Sequence, residues 1–423
     1  MSRVRHSPEA VVWEMVDLLM RSGPMIGVVF IALIAAVCGG GTSVDTTDIA
    51  DPTSTSGGGS TSEPASTAGS DPASASALEK IEDPSFPQPL IDPAEIMSGG
   101  PPPDGIPSID DPQFVSVTEA DEWLGTGEPV VYLEANGEVH AYPVQILIWH
   151  EIVNDTVGGV PVAVTYCPLC NSAVSYRREV DGEVTTFGTS GRLYASALVM
   201  YDRATESLWT HYDGRAVVGV LTGEELDPIP SPLLAWSDFK EAFPDAMVLD
   251  REATGFNRPY GENPYAGYDN PSGTPFLFRG TVDDRAEAMQ RVVGVAIDGV
   301  ARAWTLEAIS EGSGQATNST VGETPVVVLW KEGQSSALES SLIVSGRDVG
   351  SVGVFSPVVD AHTLTFAADA GSFLDQETGS EWDITGNAVA GELAGTSLQQ
   401  IHHLDTFWFS WSTYQPETDL VDE

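Results

Sequence analysis

The sequence predicts a mostly β, α+β chain in which an internal duplication gives two similar β-rich domains with short helices. Three observations carry this expectation. A set of residues recurs in order at matching spacing, short β-branched runs are bounded by turn formers, and two hairpin signals fall at corresponding places. In the first copy Asp202, Thr205, Ser207 and Trp209 precede Gly214, Ala216, Val217, Gly219, Leu221 and Gly223. In the second, Asp375, Thr378, Ser380 and Trp382 precede Gly386, Ala388, Val389, Gly391, Leu393 and Gly395. Asn136-Gly137 and Asp298-Gly299 are the hairpin signals, because both central residues of such a turn take positive φ. Residues 130–133, 162–166, 174–176 and 216–221 read as strands of the first copy, and 144–153 and 237–243 as its helices.

Taken in order, the chain divides into six parts. Residues 26–37 form the only long apolar run, too short for a comfortable membrane span and right for the core of a signal peptide. Segment 1–38 is therefore expected to be a signal peptide ending at a lipoprotein cysteine, Cys38, which would take the lipid. Val37 departs from the small residue usual before such a cysteine, which leaves cleavage elsewhere open. Residues 39–85, rich in Ser, Thr, Gly and Asp, read as a disordered tether, and 86–126 as an extended segment. The first copy spans 127–250, a connector rich in Tyr, Pro and Gly spans 251–289, and the second copy spans 290–423. The expected location is the outer face of the cytoplasmic membrane, with the lipid as the membrane contact.

Charge narrows the partners. The 423 residues carry 62 acidic against 18 basic side chains, a formal net charge of −44. Phosphate backbones need clustered Lys and Arg, so nucleic acid is excluded as a partner. An anionic membrane surface repels such a protein. No Gly-X-Ser-X-Gly elbow, phosphate loop or His-Glu-X-X-His motif is present, and the sequence does not indicate an enzyme.

The repeat also separates scaffold from site. Residues shared by both copies are fold determinants, whereas polar residues of one copy alone are candidates for function. Cys167 falls opposite Lys331, Cys170 opposite Gln334, His150 opposite Gly314 and His211 opposite Ile384. The turn Cys167-Pro168-Leu169-Cys170-Asn171 suits a metal knuckle, since Pro168 presets φ and Asn171 tolerates the left-handed conformation. With no second cysteine pair, histidine has to complete such a site, and His150 and His211 are the candidates. Two thiolates with imidazole suit copper(I) or zinc. A redox dithiol is a second reading, although residues 172–178 alternate as a strand and do not open the helix that lowers a thiol pKa. An ordinary disulfide between exported cysteines is the third. All three remain open at this point.

Several stretches together resemble a known family. Gly105-Ile-Pro-Ser-Ile-Asp-Asp-Pro112, His150-Glu-Ile-Val-Asn-Asp155, Tyr166-Cys-Pro-Leu-Cys170, Ser190-Gly-Arg-Leu-Tyr194 and Asn263-Pro-Tyr265 are similar to motifs of the prokaryotic domain of unknown function 3179 family. The resemblance covers residues 100–421 and implies an exported, often lipid-anchored protein without an established activity. The leading expectation is an extracytoplasmic copper- or zinc-binding protein with Cys167, Cys170 and His150 as ligands and His211 as a fourth ligand or a group behind them. The alternatives are a non-enzymatic cell-surface binding module with a structural disulfide, and a thiol–disulfide redox protein. A pocket is expected beside Cys167, lined by Tyr166, Arg192, Tyr194 and Arg203 and locally positive, suiting a small anion or an acidic peptide.

Overall fold

The computed structural model describes residues 75–311, 315–369 and 371–422. The expected signal segment, Cys38 and the tether up to residue 74 lie outside the described residues. The chain is mostly β, with 40% strand and 11% helix, and among the described residues no helix is longer than seven residues. Among the described residues no helix is long and apolar enough to cross a membrane.

Short-range signals account for the hairpins. Asn136 and Gly137 take φ of 51° and 80°, and Asp298 and Gly299 take 50° and 78°. They join Pro129–Ala135 to Glu138–Pro143 and Arg291–Ile297 to Val300–Thr305 in antiparallel register. The sheet orders of the two halves correspond partner by partner. Leu233–Ala235, Pro129–Ala135, Glu138–Pro143 and Met247–Leu249 are neighbours in one sheet; Leu404–Phe407, Arg291–Ile297, Val300–Thr305 and Asp419–Val421 are neighbours in another. The last strand of each set runs parallel to its neighbour. Each half adds a sheet built on a long hairpin, Ile152–Val157 with Val160–Cys167 and Ala316–Val321 with Thr324–Lys331. A third sheet in each half holds Trp209 or Trp382.

Those two tryptophans occupy matching, fully buried positions. Trp209 Nε1 donates to Asp202 at 3.0 Å and its ring meets Phe187 edge-on; Trp382 Nε1 donates to Asp375 at 3.0 Å and its ring meets Phe366. Beside them Gly219 (φ 120°) and Gly391 (φ 96°) admit close approach, since a Cβ there would lie 2.5 Å from Ser207 Oγ and 2.6 Å from Ser380 Cα. No side chain fits.

The cores are shared between halves. One cluster joins Val164, Tyr166 and Trp209 to Phe407, Trp408 and Trp411, and another joins Val130, Trp236 and Phe239 to Leu329, Phe355 and Trp382. The late helix of each half, Trp236–Ala242 or Trp408–Tyr414, packs on its own sheet and also reaches the other half, through Asp238 paired with Lys331 and Tyr414 stacked on Tyr212. The connector also touches both: Tyr268 Oη donates to Leu169 O at 3.1 Å while Asn263 Nδ2 donates to Ser340 O at 2.9 Å.

Two expectations need correction. The helix expected over 144–153 stops at His150, because Glu151 turns left-handed (φ 58°) and the β-branched Ile152 and Val153 enter a strand opposite Thr165 and Val164. The tether expected to reach residue 85 does not extend that far. Ala77 is fully buried, and Leu78, Ile81 and Phe86 pack with Val199 and Tyr201.

Candidate metal centre

The site is built on one hairpin and one turn. Val160–Cys167 pairs with Ser172–Arg177 so that Cys167 lies opposite Ser172 and Thr165 opposite Val174. Residues two apart along a strand share a face, which sets Thr165 and Cys167 on one side together with Ser172. Residues 168–171 close the hairpin, with the Asn171 N–H donating to Pro168 O at 3.3 Å and Asn171 at φ 47°. His211 arrives from the turn after Leu208–Thr210. Its N–H donates to Leu198 O at 3.1 Å and its carbonyl accepts from Tyr176 Oη at 2.8 Å, so its backbone is held at both ends.

The Sγ atoms of Cys167 and Cys170 and a ring nitrogen of His211 lie within 4.8 Å of one another, all buried. Both cysteines are free thiols. The hydrogen bonds select the imidazole tautomer. Thr165 Oγ1 donates its proton to Val174 O at 2.6 Å, so toward His211 Nδ1, at 2.8 Å, it acts as an acceptor and Nδ1 carries the hydrogen. Burial lowers the His211 pKa, which keeps the ring neutral and leaves a lone pair on Nε2. That nitrogen lies 2.8 Å from Ser172 Oγ and 3.8 Å from Cys170 Sγ, and Ser172 Oγ lies 2.9 Å from the same sulfur. A thiol, a hydroxyl and an imidazole acceptor therefore form one connected chain. A fixed Nδ1–H behind an Nε2 lone pair, here shared with the Ser172 hydroxyl, is the arrangement by which metal-binding histidines are oriented.

Burial pushes the Cys167 thiol well above its usual range. The neighbouring Cys170 sulfur adds to this, while His211 and the Leu198 N–H pull weakly the other way. Glu151 sits close enough for the Cys167 sulfur to add to the burial that pushes its carboxyl well up. Glu151, Thr165 and Ser172 were missed by sequence reasoning. Hairpin register from Cys167 would have reached Ser172, whereas nothing local marks Glu151.

The expected ligand set changes. His211 joins the cysteines, but His150 is held elsewhere, with Nδ1 at 2.7 Å from Pro107 O and Nε2 at 2.7 Å from Tyr260 Oη. Among the described residues the expected pocket is not seen beside Cys167, which is only 1% exposed, and three cavities of about 10, 480 and 180 Å³ have neither cysteine in their lining. Its proposed lining is dispersed. Tyr166 is buried and donates to Asn171 Oδ1, Arg192 donates to Leu78 O, and Tyr194 meets Tyr414 edge-on. Arg203 pairs with Asp104 and Asp110, so its charge is already met. The corresponding positions of the second half hold Lys331, paired with Asp238 at 2.7 Å, and a buried Gln334.

A search of curated proteins and of solved structures finds no match. The family model described as protein of unknown function (DUF3179) matches residues 103–418, most of the chain, and the chain belongs to that family.

Proposed function

We propose that the protein binds one transition-metal ion, copper(I) in preference to zinc, through Cys167, Cys170 and His211, and acts outside the cytoplasm tethered by a lipid on Cys38. The observation that carries the metal reading is the convergence of two sulfurs and an oriented imidazole lone pair within 4.8 Å. Two soft sulfurs and one nitrogen suit copper(I), while structural zinc ordinarily takes four protein ligands. The redox reading is weaker, because a thiol whose pKa is raised by burial is a poor nucleophile. The apolar run 26–37 followed by Cys38 supports the anchor.

Metal analysis of protein purified under reducing conditions tests the centre. The expected result is about one copper per chain after loading with copper(I), with loss of most of it in Cys167→Ser and His211→Gln and retention in His150→Gln. A folded protein that takes up no copper, or that keeps it in Cys167→Ser, would overturn the reading. Fatty-acid labelling that persists in Cys38→Ala would separately overturn the anchor.

A further inference from the structure

A cavity of about 480 Å³ lies at the junction of the halves, where helix Trp236–Ala242 faces strand Glu381–Trp382. That volume falls within the roughly 300–1,000 Å³ of small-molecule sites. The first half has a corresponding crevice beside helix Trp408–Tyr414, but of only about 180 Å³. Two side chains set the difference. Tyr212 and Tyr414 line the smaller crevice with their rings stacked at 4.3 Å. In the larger cavity the matching places hold Thr385, which follows Trp382 as Tyr212 follows Trp209, and Ala242, which ends its helix as Tyr414 does. Lys331, opposite Cys167 in the repeat, lines the same space.

The wall offers donors and acceptors side by side. Lys331, with 28% of its side chain exposed, gives one of an ammonium's three hydrogens to Asp238 at 2.7 Å and keeps the others. Asp383 Oδ1 accepts from the Thr385 N–H and hydroxyl and the Asn387 N–H, at 2.9, 2.6 and 3.0 Å, and Oδ2 takes none of these bonds. Burial raises the Asp383 carboxyl pKa, while these hydrogen bonds and the charge of Lys331 oppose the rise, so the ammonium stands near the carboxylate. Asn387 Nδ2 uses one hydrogen on Thr385 Oγ1 at 2.7 Å and has a second. Lys331, Asp383 and Asn387 are all partly exposed.

An anion would meet Glu241, Glu381 and Asp383 against one ammonium already paired. A cation would leave the hydrogens of Lys331 and Asn387 without acceptors, and an apolar ligand would strip water from every one of these groups. A hydroxyl both donates and accepts, and neighbouring hydroxyls repeat the pairing. We infer that this cavity binds a neutral polyhydroxylated molecule, a mono- or disaccharide whose hydroxyls donate to Asp383 Oδ2 and accept from Lys331 Nζ and Asn387 Nδ2. The inference is independent of the metal centre.

Ligand-observed NMR titrations of the full chain with glucose, galactose, mannose and cellobiose test it, in about 0.5 M salt to suppress ion binding at the acidic surface. At least one sugar is expected to bind saturably, at least about tenfold tighter than putrescine, citrate or free glycine, with about tenfold weakening in Asp383→Asn. Ala242→Tyr brings into the cavity the ring that Tyr414 contributes to the other crevice. It is expected to abolish binding, and it covers the case in which Asp383→Asn does not fold. No saturable sugar binding to the folded protein, equal or tighter binding of putrescine, citrate or glycine, or unchanged affinity in a folded Asp383→Asn or Ala242→Tyr would overturn the proposal.

Discussion

His150 illustrates how burial decides the role of a single side chain. It is fully enclosed, both ring nitrogens have oxygen partners, and its pKa falls to about 4 against an ordinary 6.5. Burial is the main cause, because the charged ring would lose its water. A base with a depressed folded pKa contributes stability that is present above the unfolded pKa and is lost as pH falls toward the folded one. Acidification from about pH 6.5 to about pH 4 is therefore expected to cost on the order of 3 kcal/mol from this residue. Urea midpoints across that range check it. His150→Gln should give a shallower pH dependence, and a profile identical to that of the parent protein would show that the ring titrates normally. The sequence picked out His150 as special to one half, yet that distinction does not say which neighbours an imidazole meets.

At the scale of elements, the Asp–Trp loops are the best-read features. Asp202 accepts from the N–H groups of Thr205 and Ser207 and from Trp209 Nε1, and Asp375 accepts from Thr378, Ser380 and Trp382 in the same way. With the Thr205 or Thr378 hydroxyl, one buried carboxylate satisfies four donors in each loop, and its removal takes their partner away. Asp202→Ala and Asp375→Ala are each expected to lose about 3 kcal/mol in denaturant unfolding. A loss below about 1 kcal/mol in either would mean that water replaces the carboxylate at no cost. These loops were legible because every partner lies within seven residues. The end of the helix at His150 was not, because apolar residues resume at Ile152 and Val153 after His150 and Glu151, while pairing with residues 164 and 165 turns them into strand.

For the whole molecule, the shared core clusters make the halves interdependent. Phe407 N–H and Thr406 Oγ1 donate to Cys170 O at 3.2 and 2.7 Å, so second-half residues hold the metal turn in place. In the opposite direction Ala235 N–H donates to Ser351 Oγ at 2.9 Å. A buried ion pair, Arg291 with Asp405, lies at the same junction. Unfolding of the full chain is expected to be one cooperative transition, and residues 75–290 alone should show no cooperative melting, since Trp408 and Trp411 would be absent from their core. Calorimetry of both proteins checks this. A sharp transition in the fragment would show that the first half folds independently.

The sequence by itself determined the mostly β class, the hairpin turns, the Asp–Trp loops, the cysteine turn and the family, because each depends on residue types within a short window or on matches along the chain. Only the tertiary structure decided that His211 and not His150 stands beside the sulfurs, although Cys170 and His211 are 41 residues apart. It also decided that Cys167 is sealed from solvent, and that the first half is completed by aromatic rings from the second. These outcomes depend on how sheets stack and which backbone groups remain for a side chain to meet. Distant segments settle them jointly, through the requirement that buried apolar surface be covered and buried polar atoms be paired.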